Sequence, residues 1–255
     1  MQEVEVAREG AVQTITLNRP DVLNAFNRAL HVQLREALKA ARDSEVRAVV
    51  ITGAGRGFSA GQDLKEFADT PDIRDALRDS YHPNVLAIRE LEKPVIAAVN
   101  GVCAGAGLSL ACVCDFRIAA DNASFVPGFI GIGLVPDAGG TYFLNRLLGA
   151  SRAFEWMSSN RRLTAAEAHA WGLVSEVVEA DGLQARAAEL AAFYAALPTR
   201  GVGMTKRLFD HADGATLEEQ LELEAQLQAA ATKTADFQEG VAAFLEKRDP
   251  KFTGR

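Results

Sequence analysis

Two periodicities alternate along the chain. In residues 4–17, Ile15 and Leu17 alternate with Thr14 and Thr16 behind a Glu9-Gly10 turn, predicting an N-terminal β-hairpin that Asn18-Arg19-Pro20 closes. Leu30, Leu34, Leu38 and Ala41 then recur at helical spacing over residues 27–42, and Ala48-Val49-Val50-Ile51 follows as a short, wholly apolar strand. The order repeats: a helix over residues 73–91, which Pro83 interrupts or restarts, precedes the strand Val95-Ile96-Ala97-Ala98-Val99. Strands apolar on both faces and separated by helices predict a mainly parallel sheet covered on both sides, an α/β fold.

Downstream, residues 115–120 and 124–126 read as strands, 139–148 as a helix and 175–178 as one more short strand. Beyond Pro198 the pattern is helical only. Thr164 and Glu167, like Thr216 and Glu219, have the spacing of a capping box that opens a helix. Leucines 217, 221, 223 and 227 spread over a broad arc of their helix, which fits burial within the chain or packing against another subunit.

Composition narrows the class. The 255 residues are 48% hydrophobic and 24% charged, enough for one large core with an appendage. A net charge of -7 argues against a nucleic-acid partner, which needs a basic surface. The most apolar stretch is broken by Asn100, Asp115 and Arg117 short of the about 18 residues that a membrane span requires. Three cysteines without a secretory-type start point to a reducing cytoplasm rather than a disulfide framework. Cys112 and Cys114 lack a second ligand pair and the four histidines are scattered, so no metal site is expected.

Two motifs mislead. Gly57-Phe58-Ser59-Ala60-Gly61 matches a nucleophile-elbow pattern, but Gly53-Ala54-Gly55-Arg56 separates Ser59 from the preceding strand; residues 55–60 match a loose dinucleotide pattern, but their glycines sit beyond the strand end with no compact βαβ unit and ribose-binding acid. This segment and residues 100–107 are better read as glycine-rich turns after apolar strands. Small side chains there leave backbone amides open to a ligand oxygen, and two such amides converging on one atom make an oxyanion hole. Ordinary tight turns are the alternative.

Together, residues 57–64 (GFSAGQDL), 93–101 (KPVIAAVNG), 104–107 (AGAG), 136–141 (PDAGGT) and 244–252 (FLEKRDPKF) resemble the enoyl-CoA hydratase/isomerase, or crotonase, superfamily over nearly the whole chain. The resemblance implies a crotonase spiral of ββα units over residues 1–197, carrying the acyl-CoA site. It further implies a C-terminal helical trimerisation region over residues 198–255 and a homo-oligomer, a trimer or a hexamer of two trimers. By position, the amides of Ala60 and Ala106 form the oxyanion hole for a thioester carbonyl. The CoA moiety lies near Leu23, Ala25, Gln62, Asp63 and Leu64, with Phe244 and Lys247 supplied by a neighbouring subunit. CoA belongs to the acyl-CoA substrate, and no separate cofactor is implied.

Within that family, hydration relies on two glutamates, whose positions here hold Ser109 and Phe129. Neither side chain does carboxylate acid/base chemistry. Asp137 remains as the family-matched acid, in a position that the resemblance associates with isomerases, including those that rearrange a phenylacetyl-CoA ring epoxide and shift double bonds in enoyl-CoA. Read from spacing alone, Asp137 is also a natural helix N-cap, and burial and helix amides pull its pKa in opposite directions. His82 stands where the similar isomerases carry asparagine, and Leu86 where the dehalogenase branch carries histidine. A hydratase with an atypical acid/base set and a non-catalytic acyl-CoA-binding subunit are the competing readings.

Overall fold

The computed structural model describes residues 2–67 and 72–255. The hairpin forms as expected from β1 (Val4–Glu9) and β2 (Val12–Leu17), paired antiparallel. α1 (Arg28–Ala40) follows; the Asn27 side chain caps it by accepting from the Leu30 N–H at 2.8 Å, and Leu30, Leu34 and Leu38 fill the core. Next come β3 (Ala48–Gly53), β4 (Gly57–Ser59), α2 (Leu64–Phe67), α3 (Ile73–Ala76), a π-helical turn at Leu77–Tyr81 and α4 (His82–Glu90). Pro83 sits in the first turn of α4, so it restarts a helix as its missing N–H predicts.

The pattern then repeats with β5 (Val95–Val99), β6 (Val102–Ala104) and α5 (Ala106–Val113), and again with β7 (Phe116–Ala120), β8 (Ser124–Val126), α6 (Gly140–Leu148) and α7 (Ala150–Ser159). β9 (Leu163–Thr164), α8 (Ala165–Ala170), β10 (Glu176–Val178) and α9 (Leu183–Ala196) complete the core. Six strands, in the order β1-β2-β3-β5-β7-β10, form one sheet that is parallel from β2 onward. The short strands form a second sheet, β4-β6-β8-β9.

Each turn of the chain thus lays one long strand in the first sheet, one short strand in the second and then a helix, which is the ββα spiral. Glycine makes the stacked corners fit. A Cβ at Gly101 would lie 2.1 Å from the Arg56 carbonyl oxygen of the preceding corner. Segments 57–61 and 100–107 are therefore brought side by side, although they are far apart in sequence.

Three helices follow: α10 (Thr199–Ala212), α11 (Leu217–Ala231) and α12 (Ala235–Glu246). Both predicted capping boxes form, at Thr164 and Thr216. Arg47 ties this region to the sheet by donating to the carbonyls of Leu197 and Phe252 and to Thr199 Oγ1. On α11 only Leu227 is buried, while Leu217 and Leu221 stay exposed. Among the described residues no helix is long and apolar enough to cross a membrane.

Candidate active site

One cavity of about 680 Å³ lies where α1, the end of β4, the π-turn, the β6–α5 junction and the 128–137 loop meet. Asp137, Ala60, Ala106, Gln62 and Leu64 all line it, so the spiral gathers five of the ten sequence-nominated residues into one place.

The backbone amides require one correction. The Ala60 N–H donates to the Leu23 carbonyl at 2.8 Å, so it is occupied and cannot also serve an incoming oxygen. Two residues on, Gln62 makes a parallel bridge with Phe26 through its neighbours: Phe26 N–H donates to the Gly61 carbonyl at 2.7 Å and Asp63 N–H to the Phe26 carbonyl at 2.9 Å. That pattern turns the N–H of Gln62 itself away from Phe26. Ala106 opens α5 as its first residue, where a helical amide has no intrahelical acceptor. Among the described residues, neither of these two amides donates to any protein acceptor. They are close together, because a Cβ on Gly61 (φ +92°) would sit 3.2 Å from Ala106 N. The two free amides beside Gly61 are therefore those of Gln62 and Ala106.

Asp137 is not a helix cap. α6 begins at Gly140, and Ala138 (φ 48°) and Gly139 (φ 82°) both adopt left-handed backbone before it. This turn holds the aspartate back from the helix N-terminus. Its carbonyl oxygen accepts from the Gly140 N–H at 2.8 Å and from Ser109 Oγ at 2.9 Å, so Ser109 anchors the backbone that carries the acid. The carboxylate Oδ1 is buried without a hydrogen-bond partner. Burial pushes the carboxyl up to about 6, against a smaller opposing pull from its own backbone N–H. Desolvation thus prevails over the amide dipoles.

Sequence reasoning missed the wall facing this acid. Tyr81, on the π-turn, donates its hydroxyl to Gln62 Oε1; burial, and secondarily the charge of Asp137, raise its pKa. The notable signal was a histidine, His31, embedded in the apolar stripe of α1, and it too lines the cavity. Phe129 closes another side, where it supplies apolar surface and no acid.

The remaining nominated residues lie nearby or elsewhere. Leu23 and Ala25 form the turn that supports Ala60, outside the cavity lining, with the Ala25 carbonyl accepting from Arg19. Asp63 is engaged by Arg19 at 3.0 Å and stands beside the site without lining it. Phe244 and Lys247 are exposed at the end of α12 and line no part of the cavity within this chain. His82 and Leu86 face outward. Ser59 is buried and donates to the Asn24 carbonyl at 2.9 Å, which rules out the elbow reading. Cys103, Cys112 and Cys114 are buried free thiols.

Two free amides and a desolvated carboxylate in one cavity can hold a carbonyl oxygen as it gains negative charge while a proton leaves a neighbouring carbon. That chemistry, in a ββα spiral, is the province of acyl-CoA enzymes. The chain belongs to the enoyl-CoA hydratase/isomerase family, whose model matches residues 7–255. It is 46% identical over 253 residues to the 1,2-epoxyphenylacetyl-CoA isomerase of Escherichia coli (strain K12), covering 97% of each chain. It is 39% identical to the 2,3-dehydroadipyl-CoA hydratase of the same organism, covering 100% of each. The crystal structure of enoyl-CoA hydratase from Bacillus anthracis superposes with a TM-score of 0.94 at 35% identity, over 100% of both chains.

Proposed function

We propose that this chain is an acyl-CoA isomerase in which Asp137 moves a proton between carbons of the acyl group while the amides of Gln62 and Ala106 hold the thioester enolate. The observation that carries this reading is the Asp137 carboxyl, held near 6 with one oxygen unpartnered, in the same cavity as two free amides. Ser109 and Phe129 stand where the resemblance expects the two glutamates of a hydratase, which favours an acid/base that relocates a proton over the paired glutamates that activate water. The ionised Asp137 takes a proton from carbon, the electron pair shifts onto the thioester oxygen, and the carboxylic acid so formed returns the proton at a different carbon. Atoms and charge balance without an external oxidant.

Likeness to the E. coli isomerase favours 1,2-epoxyphenylacetyl-CoA, and double-bond shifts in linear enoyl-CoA use the same step. CoA would extend past Leu64 towards Leu23, Ala25 and Asp63. The exposed Phe244, together with Leu217 and Leu221, fits a trimeric or hexameric assembly of a cytoplasmic enzyme, in which Phe244 and Lys247 reach a neighbour's CoA. In this reading residues 198–255 form the assembly region and residues 1–197 the catalytic core.

The test is Asp137→Asn. Double-bond migration in 3-enoyl-CoA and solvent-deuterium exchange should be lost, while isothermal titration still detects acyl-CoA binding. Exchange at the wild-type rate would remove Asp137 from the mechanism, and efficient water addition to crotonyl-CoA by the wild type would replace isomerase with hydratase.

A further inference from the structure

His31 is a buried, neutral imidazole at the cavity wall whose contacts favour one tautomer. Its ring stacks on Phe26, with centroids 5.0 Å apart, and meets Tyr81 edgewise at 4.1 Å. Asn84 Nδ2, on α4, donates both to the His31 carbonyl at 3.2 Å and to His31 Nδ1 at 3.1 Å. The carbonyl accepts only, so this orientation of the amide is the one that satisfies it. Nδ1 is then an acceptor, and the neutral ring carries its proton on Nε2. Burial, with the charge of Arg35, lowers the pKa to about 4 and keeps the ring neutral at physiological pH.

That Nε2–H is buried and has no hydrogen-bond partner. A buried donor without an acceptor is costly, and such groups persist where a ligand completes them. His31 shares its cavity with Asp137 and the two amides, and the neighbouring Tyr81 hydroxyl is already engaged with Gln62. We infer that His31 is a specificity-determining residue that donates its Nε2–H to an oxygen on the distal part of the acyl group. The site then selects thioesters whose acyl group carries an ether, epoxide or carbonyl oxygen over hydrocarbon chains. This rests on the acyl-CoA reading above and specifies its substrate class; Asn84 is the positioning residue that fixes the tautomer.

The test uses binding rather than turnover, so that it is independent of Asp137 chemistry. Cyclohexylacetyl-CoA and 2-oxocyclohexylacetyl-CoA are titrated calorimetrically at pH 8, where Asp137 is ionised and cannot donate to the ketone. Wild type should prefer the ketone about tenfold, in line with one hydrogen bond to a buried donor. His31→Phe should abolish that preference and change cyclohexylacetyl-CoA affinity by no more than about twofold. No preference in wild type, an unchanged preference in His31→Phe, or an equal loss for both ligands would each overturn the inference. Should His31→Phe misfold, ¹⁵N NMR of the wild-type imidazole decides instead. The proton must reside on Nε2 and its resonance must move when the ketone binds; a proton on Nδ1, or no movement, refutes the assignment. Loss of deuterium exchange in Asp137→Asn tests the proposed function separately and leaves these ratios untouched.

Discussion

Replacing Asp137 by asparagine should stabilise the protein at neutral pH even as it removes the carboxyl proposed to transfer the proton. Burial holds this carboxyl at about 6 against an ordinary 3.8, so the folded state binds its proton more tightly than the unfolded chain does. Stability from this group is therefore fully present below pH 4, declines as the pH rises towards 6, and stays at its lowest above that. Taken at face value the difference is about 3 kcal/mol. Asp137 is only partly buried, and solvent screening reduces the working figure to about 1–2 kcal/mol. Asparagine has nearly the same shape and no charge to desolvate. Relative to wild type, Asp137→Asn should gain little at pH 4 and about 1–2 kcal/mol at pH 8, a rise in Tm of roughly 3–6 °C for a chain of this size. Urea denaturation of both proteins across this range measures the difference directly. A gap that does not change with pH, or a variant less stable than wild type at pH 8, would refute the claim that desolvation governs this carboxyl.

The same group sets the pH dependence of rate: kcat/KM for double-bond migration should rise through a half-maximum near pH 6 and level off above it, and a flat profile between pH 5 and 7 would exclude Asp137 as the base. Gly61→Ala places a Cβ 2.9 Å from the Ala104 carbonyl oxygen, in a backbone conformation (φ +92°) unfavourable to alanine. By separating the two amides it should cost about a hundredfold in kcat, as loss of an oxyanion donor does, measured by steady-state kinetics with acyl-CoA binding checked alongside. Ser109→Ala removes one of the two hydrogen bonds to the Asp137 carbonyl; stability should fall by about 1 kcal/mol in urea denaturation, and kcat should drop less than in Asp137→Asn.

What was legible in the sequence divides along a physical line. β3 and β5 are apolar on both faces, and no other environment suits such runs, so the first sheet could be read directly. β4 and β6 are three residues each and rich in small side chains; as isolated segments they read as parts of glycine-rich turns, and they become strands by pairing with neighbours across the spiral. The site failed in the same way. Asp137 looks like a helix cap until Ala138 and Gly139 both take positive φ and hold the helix start back to Gly140. The resemblance pointed to residues 57–64, but which of their amides is free depends on orientation that alternates residue by residue. The Leu23 carbonyl, from a distant part of the chain, takes Ala60 and leaves Gln62. His31 was concealed for a related reason. On α1 it belongs to the apolar stripe and reads as packing, and only Asn84, arriving from another helix, assigns its proton to the nitrogen that has no partner. Helical and strand periodicity report what each segment does for itself, whereas the groups available to a substrate are those that the rest of the chain leaves unpaired.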